Sequence, residues 1–170
     1  MKKTETVIIT GCSSGIGKSL MIKLLQQGYK VIGVCRKPTK VKSFLNYNYS
    51  GLQLIKCDLL KLNQLKDLVK KLKKINNINI LINNAGSIFP EKKNIFYNMD
   101  QTYFLNSFVP FFLTNNLLSN FQKNKNNLVL NIGSNAQKLF PITKHDLNFS
   151  SKHMSYKMYC KSKLYLLYLT

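Results

Sequence analysis

The segment Thr10-Gly11-Cys12-Ser13-Ser14-Gly15-Ile16-Gly17 constrains the fold of this 170-residue chain more than any other feature. It follows the apolar run Val7-Ile8-Ile9, which predicts a strand buried on both faces, and it precedes a run with helical spacing over residues 16–27. Three glycines at such a turn let the chain reverse sharply, let the backbone approach a diphosphate and let the helix pack close to the sheet. The first helix then offers unpaired N–H groups to that diphosphate. We therefore expect residues 11–17 to bind phosphate, although an ordinary Gly/Ser-rich turn has the same composition.

Short β-rich runs alternate with longer helical runs along the rest of the chain. This alternation implies right-handed crossovers and a parallel sheet. We predict one α/β domain over residues 1–170, a doubly wound Rossmann sheet with strand order 3-2-1-4-5 and helices on both faces. Pro110 falls inside a predicted helix, where we expect a kink. The predicted strands are 7–9, 30–35, 52–57, 79–82 and 128–132, and the predicted helices are 16–27, 62–75, 100–121 and 155–170, with Ile16, Leu20, Leu24 and Leu25 on one side of the first helix.

The net charge of +20 raises the question of a polyanionic partner. Arg36 is the only arginine, and the lysines are spread along the chain together with many Asn, Ile, Leu, Phe and Tyr residues, as a genome rich in A and T would produce. The densest run, residues 70–74, reads as a solvated helix face or as an anion patch. We predict no specific nucleic-acid partner, although dispersed lysines favour loose, salt-sensitive binding to polyanions.

The cysteines and the hydropathy pattern argue against several other classes of protein. None of the four cysteines forms a Cys-x-x-Cys pair and only two histidines are present, which argues against a metal site and a disulfide scaffold. The first apolar run is too short for a signal peptide, and no window reaches the roughly 18 apolar residues of a membrane span. These features predict a soluble, cytoplasmic protein without a metal.

The end of the second predicted strand indicates which dinucleotide fits. The sequence there reads Val34-Cys35-Arg36-Lys37 and lacks the carboxylate that binds the ribose 2′-hydroxyl of NAD. A guanidinium binds a 2′-phosphate with charge-assisted hydrogen bonds, whereas a carboxylate would repel it. Arg36 therefore favours NADP(H) over NAD(H), unless it is only a solvent-facing loop residue.

Two motifs together resemble those of the short-chain dehydrogenase/reductase family. The segment 10–17 resembles the cofactor signature of that family, and Asn83-Asn84-Ala85-Gly86 resembles its second signature. The resemblance implies that the second motif stabilises the central sheet and lines the adenine-ribose side. It also implies that Asp58, with Leu59, contacts the adenine, although a strand-end cap is the alternative for Asp58. The implied cofactor-binding residues are Gly11, Ser13, Ser14, Gly15, Ile16, Gly17, Arg36, Asp58, Leu59, Asn84, Ala85, Gly86, Tyr159 and Lys163.

A candidate catalytic pair opens the last predicted helix as Tyr159-x-x-x-Lys163. Positions i and i+4 share one helix face, and a nearby ammonium favours the phenolate form that exchanges a proton with a carbonyl or alcohol oxygen. One such pair is expected by chance in a chain with nine tyrosines and abundant lysine. The resemblance adds Ser134 as the serine that bonds the substrate oxygen and Asn106 as the asparagine of a proton relay. A capping serine and a chance asparagine remain the alternatives.

The stretch between Ser134 and Tyr159, with its ending Tyr-Cys-Lys-Ser-Lys-Leu, resembles the retinol-dehydrogenase-like and WW-domain-oxidoreductase-like branch of the family. That branch implies a small, often lipophilic carbonyl or alcohol substrate. His145 and Asp146 lie in this stretch, where a structural role is the simpler interpretation. The family continues beyond the position of Thr170 with further strands and a substrate loop, so we expect a C-terminally truncated fold whose fifth strand is an open edge available to a second chain, as in a homo-oligomer.

Three functions are compatible with the sequence. The first is an NADP(H)-dependent oxidoreductase acting on a carbonyl/alcohol pair. The second is a non-catalytic dinucleotide-binding module or decayed enzyme. The third, suggested by charge alone, is a polyanion-binding protein.

Overall fold

The computed structural model describes residues 5–45, 49–75, 77–90, 94–96, 99–121, 127–144, 146 and 155–170. The chain divides into two compact units. The first unit holds residues 1–85 and 116–130, and the second holds residues 86–115 and 131–170. The phosphate-binding motif belongs to the first unit, and all four candidate catalytic residues belong to the second.

The strands form the predicted parallel sheet. Its order is β3-β2-β1-β4-β7, which confirms the predicted order because β7 is the strand predicted as the fifth. The pairs β1–β2, β1–β4 and β2–β3 are parallel. Two short antiparallel strands, β5 and β6, form a separate pair that the sequence pattern did not indicate. In chain order the strands are β1 Thr6–Thr10, β2 Lys30–Cys35, β3 Leu52–Lys56, β4 Ile78–Asn83, β5 Asn94–Phe96, β6 Met99–Asp100 and β7 Leu128–Asn131.

The helices over residues 15–26, 62–72 and 155–168 follow predicted runs and end earlier than predicted, whereas the sequence pattern did not indicate the helix over residues 38–44. The predicted helix 100–121 is divided into α-helical, π-helical and 3-10 segments. Helix α3 stops at Leu72, three residues before the predicted end, because the chain turns at Lys73 and Lys74. Short 3-10 turns cover Leu118–Asn120 and Asn135–Lys138. Among the described residues no helix combines the length and the apolar character needed to cross a membrane. The helices are α1 Gly15–Gln26, α2 Pro38–Phe44, α3 Leu62–Leu72, α4 Gln101–Tyr103, α5 Val109–Leu117 and α6 Ser155–Tyr168.

The core of the first unit lies between its strands and α1. Val7, Ile8 and Ile9 have no exposed surface, as expected for a central parallel strand covered on both faces. The prediction that Ile16 shares the buried face of α1 is wrong, because its side chain is 64% exposed. Ile16 lies in the first turn of the helix, at the exposed glycine-rich loop, and the buried face is formed by Gly17, Met21, Leu24 and Leu25.

A π-helical segment, Phe104–Phe108, separates α4 from α5. Its wider turn closes with a hydrogen bond from the Val109 N–H to the Phe104 carbonyl, five residues back. Pro110 is the second residue of α5, and it has no N–H to donate to the preceding turn. The kink expected at Pro110 stays a prediction, and the irregularity found there is the π turn that ends two residues before it, an element often found at functional sites. Asn106 is fully buried within this turn.

In the second unit, α6 packs through aromatic residues. Tyr103, Met158 and Tyr165 form a small buried cluster, in which the two tyrosine rings meet edge to face at 5.5 Å. Leu166 is buried, whereas Leu167 and the residues after it are exposed.

Candidate active site

The glycine-rich loop presents a set of free helix-start amides in the first unit. The Gly11 N–H donates to the Val34 carbonyl at 2.9 Å, which fixes the start of the loop to β2. The first helical bond of α1 runs from the Lys18 N–H to the Ser14 carbonyl at 3.1 Å. The amides of residues 15–17 therefore precede the hydrogen-bond ladder of the helix, and residues 14–16 are exposed. Such amides can bind an anion such as a diphosphate.

Asn84 ties the end of β4 to this loop. Its side-chain amide donates to the carbonyls of Thr10 at 2.8 Å and Gly11 at 3.2 Å. The buried Thr10 hydroxyl in turn accepts from the N–H groups of Asn84 at 3.1 Å and Ala85 at 3.0 Å. The two signature segments are thus bonded directly to each other.

Gly17 makes room for that asparagine. A Cβ atom at position 17 would overlap both the Asn84 side-chain nitrogen and the Gly11 carbonyl oxygen. The sequence alone assigned the glycines to turning, diphosphate approach and helix packing. The structure shows a further reason for a glycine at position 17. The side-chain amide of Asn84, which directly follows β4, occupies the space that a side chain would need.

Arg36 and Asp58 follow the ends of β2 and β3. Arg36 is exposed, as a contact to a ligand phosphate requires. The Asp58 carboxylate accepts from the Leu60 N–H at 3.2 Å, and the Asp58 N–H donates to the Gln64 side chain at 2.8 Å. These two hydrogen bonds match the strand-end cap that was the alternative role for Asp58. Leu59 is buried, and the predicted contacts of both residues with the cofactor remain predictions.

In the second unit, α6 carries Tyr159 and Lys163 one turn apart. Lys163 is only 5% exposed, and its ammonium donates to the Ile132 carbonyl at 2.7 Å. The same ammonium lies 6.0 Å from the centre of the Tyr159 ring. Burial lowers the pKa of Lys163, because desolvation disfavours its charged form.

Asn106 connects the π turn to α6. Its side-chain carbonyl accepts from the Ser87 N–H at 2.9 Å, and its side-chain amide donates to the Ser87 carbonyl and to the Ser162 hydroxyl, both at 3.0 Å. The Ser162 hydroxyl donates to the Tyr159 carbonyl at 2.7 Å. Asn106 therefore holds the segment of α6 that carries the tyrosine and the lysine.

The sequence alone did not single out Ser87 and Ser162. Ser162 was recognisable in principle, because it immediately precedes Lys163 and a position three residues after Tyr159 neighbours it on a helix. Ser87 contributes only backbone atoms to Asn106, and such a contact leaves no signal in a sequence.

Gly86 lies against both Asn106 and Lys163. A Cβ atom at this position would lie 3.2 Å from the Asn106 side-chain oxygen and 3.3 Å from the Lys163 ammonium nitrogen. Both distances are tighter than ordinary van der Waals contact, so one of the two polar groups would have to move.

Ser134 caps the 3-10 turn Asn135–Lys138, which is the alternative role that the sequence left open for this serine. Its hydroxyl oxygen accepts from the Ala136 N–H at 3.2 Å, which leaves the hydroxyl hydrogen available to donate to another oxygen. Ser134 follows Ile132, the residue that holds the Lys163 ammonium, by two positions. The cap is therefore compatible with the predicted contact to a substrate oxygen, which remains a prediction.

Only part of the segment His145-Asp146 can be described. His145 lies outside the described residues, and among those that are described no three His, Cys, Asp or Glu side chains converge as metal ligands. Asp146 is described, and its carboxylate forms a buried ion pair with Lys161.

A family model for the short chain dehydrogenase matches residues 5–154, and the chain belongs to that family. The fold and the two signature motifs agree with this assignment. Retinol dehydrogenase 13 from Homo sapiens is 28% identical over 98% of this chain, which confirms the resemblance to a retinol-dehydrogenase-like branch. The match covers 52% of the human protein, so the chain spans about half the length of this curated relative.

Two solved structures show the same architecture. A crystal structure of an uncharacterized protein from Mycobacterium paratuberculosis matches with a TM-score of 0.79 and 26% identity, covering 94% of this chain and 57% of that one. The bulky-bulky ketone specific alcohol dehydrogenase from Comamonas testosteroni matches with a TM-score of 0.73 and 25% identity, covering 97% of this chain and 63% of that one.

Proposed function

We propose that this protein is an oxidoreductase that moves a hydride between NADP(H) and a carbonyl/alcohol pair. The observation that carries the proposal is the arrangement on α6, where Tyr159 and Lys163 share one face and Asn106 bonds to the residue between them. A bound nicotinamide supplies or accepts the hydride. The chain itself has to bind the cofactor, orient the substrate and manage one proton.

Tyr159 is the group that exchanges this proton. In the direction of reduction, its phenol donates a proton to the carbonyl oxygen as the carbonyl carbon receives the hydride, and an alcohol results. Ser134 donates its hydroxyl hydrogen to the same oxygen. This hydrogen is available because the cap uses only the hydroxyl oxygen, as an acceptor. The Lys163 ammonium stabilises the phenolate that Tyr159 becomes, and Asn106 fixes both residues through Ser162.

The preference for NADP(H) over NAD(H) rests on Arg36. It is exposed directly after β2, and no carboxylate stands at the end of that strand to bind a ribose 2′-hydroxyl. Its guanidinium can bind the 2′-phosphate in a bidentate manner. The remaining cofactor contacts that we propose come from Gly11, Ser13, Ser14, Gly15, Ile16, Gly17, Asp58, Leu59, Asn84, Ala85, Gly86, Tyr159 and Lys163.

The substrate that we propose is a small carbonyl or alcohol of lipophilic character. The names of two similar proteins, a retinol dehydrogenase and a ketone-specific alcohol dehydrogenase, support this chemical class. The chain corresponds to about half of the human relative, so the activity of the whole protein on this substrate is part of the proposal.

Cofactor binding and turnover test the proposal separately. Fluorescence titration with NADPH and NADH should give saturable binding that is tighter for NADPH, and its absence at low millimolar cofactor contradicts the proposal. Oxidation of NADPH with a generic aldehyde should disappear in Tyr159→Phe and persist in Tyr168→Phe, which alters an exposed tyrosine on the same helix. Binding without turnover would favour the non-catalytic dinucleotide-binding module. Turnover that survives Tyr159→Phe would show that the catalytic assignment is wrong.

A further inference from the structure

A buried ion pair joins α6 to the turn before it, and none of the roles above uses it. The Lys161 ammonium lies 2.5 Å from a carboxylate oxygen of Asp146. The two side chains are only 4% and 0% exposed. Charged groups are rarely buried to this extent unless they are paired, so the pair is a specific feature of this part of the chain.

The Asp146 carboxylate is held from two directions. One oxygen accepts from Lys161, and the other accepts from the Thr143 N–H at 2.7 Å and the Thr143 hydroxyl at 2.6 Å. The Asp146 N–H returns a bond to the Thr143 carbonyl at 3.0 Å. The bonds from Thr143 thus orient the Asp146 carboxylate towards Lys161.

Lys161 stands midway between Tyr159 and Lys163 in the sequence. Because a helix turns by about 100° per residue, its side chain leaves α6 about 200° away from those of both catalytic candidates. The ion pair therefore lies on the other side of the helix from the proposed chemistry. Any influence on that chemistry has to pass through the position of the helix itself.

A neighbouring side of this helix segment, about 100° around the helix from Lys161, is also fixed. Asn106 bonds to the Ser162 hydroxyl, and the buried Ser107 hydroxyl donates to the Ser162 carbonyl at 2.7 Å. One turn of α6 is thus held by the π segment at Ser162 and by Asp146 at Lys161. An ion pair adds a fixed distance and direction to this support, which apolar packing alone would not provide.

We propose that Lys161 and Asp146 are positioning residues that set the rotation of α6 and hence the placement of Tyr159 and Lys163 against the Ile132 carbonyl and the nearby Ser134. The catalytic part of this inference rests on the proposed function. Breaking the pair should displace the helix segment and lower kcat by more than it weakens the affinity for NADPH, because the proposed contacts of the glycine-rich loop belong to the other unit.

Steady-state kinetics provide the first test. Lys161→Met should lower kcat roughly 10- to 100-fold, in line with small misplacements of catalytic groups, and should change the KM for NADPH by a smaller factor. Lys161→Arg keeps the pair and should recover most of kcat. Lys157→Met is the matched control, because it removes a lysine of the same helix that lies over Phe140 instead of Asp146. Equal kcat values for wild type and Lys161→Met would overturn the proposal.

A second test needs no turnover. The Lys163 ammonium can be followed by ¹⁵N NMR and assigned with Lys163→Arg, and in the wild type its midpoint of titration should lie below that of an ordinary lysine. Lys161→Met should move this midpoint towards the ordinary value, and Lys157→Met should not. An unchanged midpoint in Lys161→Met would contradict the positioning role.

These readouts separate the two proposals and allow for loss of folding. If the wild type turns over no substrate, the proposed function fails while the Lys163 midpoint still decides the positioning role. Should Lys161→Met not fold, the double variant Asp146→Leu/Lys161→Met removes both charges and leaves no unpaired charge behind. It should fold and show the same displaced midpoint, and a wild-type midpoint in this variant would overturn the inference.

Discussion

The side-chain amide of Asn106 donates to the hydroxyl of Ser162 at 3.0 Å, within a fully buried environment. Since Ser162 also donates to the Tyr159 carbonyl, this single hydroxyl links the π turn to the start of the catalytic turn of α6. The relationship explains why an asparagine in the middle of a helix is useful here. Its three side-chain hydrogen bonds reach Ser87 and Ser162 in other segments, and none of the three is made within its own helix.

Removing the Ser162 hydroxyl should show what this hydrogen-bonded link contributes to stability and to turnover. We expect Ser162→Ala to lower the free energy of unfolding by about 1–3 kcal/mol, because Asn106 loses a buried acceptor. Turnover should fall by more than the loss of folded protein explains. Urea unfolding and kcat measured on the same samples check this, with Ser155→Ala as the control, because it removes a serine hydroxyl of α6 that bonds to the Pro90 carbonyl and not to Asn106. A loss of stability with an unchanged kcat per folded molecule would contradict the role of this link.

Gly17→Ala should damage the glycine-rich loop. The added methyl group would overlap the Asn84 amide and the Gly11 carbonyl, so the loop has to shift. We expect affinity for NADPH to fall by at least about tenfold, because the amides of the first turn then miss the diphosphate. Fluorescence titration measures this effect, and Ser19→Ala on the exposed side of α1 should bind NADPH like the wild type. Wild-type affinity in Gly17→Ala would show that the Asn84 contact does not shape the phosphate site.

Arg36→Gln should alter cofactor preference and leave the fold unaffected. Loss of charge-assisted bonds of about 1.5–3 kcal/mol should weaken NADPH binding roughly 10- to 100-fold. NADH lacks the 2′-phosphate, so its affinity should change little. Parallel titrations with both cofactors measure the ratio, and Lys37→Gln, at the next exposed residue, is the control. An equal effect on both cofactors would place Arg36 away from the 2′-phosphate.

The extent to which the sequence predicted the fold follows from the kind of signal each element leaves. Strands covered on both faces, such as Val7-Ile8-Ile9, are read directly from uninterrupted apolar runs. The short strands β5 and β6 carry no such run and were missed. Ile16 was misplaced because helical spacing cannot show that the first turn of a helix lies at an exposed loop.

The candidate site divides in a similar way. The side chains that we propose to carry the chemistry, such as Tyr159 and Lys163, occur at a spacing that the proposed reaction requires, and that spacing is visible in the sequence. The supports of the site are contacts between segments far apart in the chain. The bond from Lys163 to the Ile132 carbonyl and the pair of Lys161 with Asp146 have no periodicity, and only the fold brings these groups together.

The Asp146 carboxylate should make the free energy of unfolding depend on pH in the acid range. Burial alone would raise the pKa of Asp146, but hydrogen bonds from Lys161 and Thr143 outweigh it and hold that pKa well below its ordinary value. A depressed pKa in the folded state means that this stabilisation is fully present above the ordinary carboxyl value near pH 4 and is lost as the pH falls below it.

Urea unfolding of the wild type and Asp146→Asn at several pH values tests this dependence. At neutral pH we expect the variant to be less stable by about 3–5 kcal/mol, because Lys161 is left buried and unpaired. The difference between the two proteins should narrow as the pH falls below about 4. Asp67→Asn, which alters an exposed carboxylate, should show no such trend. A constant difference across the whole range would mean that Asp146 does not titrate with a depressed pKa.

The space beside Gly86 limits how this protein can be redesigned, because a Cβ atom there would lie 3.2 Å from the Asn106 side-chain oxygen and 3.3 Å from the Lys163 ammonium nitrogen. Every other amino acid would require a neighbouring polar group, on which the proposed chemistry depends, to give way by a few tenths of an ångström. Libraries that aim at new substrates should therefore leave position 86 unchanged and vary exposed positions. The backbone there acts as a fixed spacer, and its tolerance for change is set by the size of a single hydrogen atom.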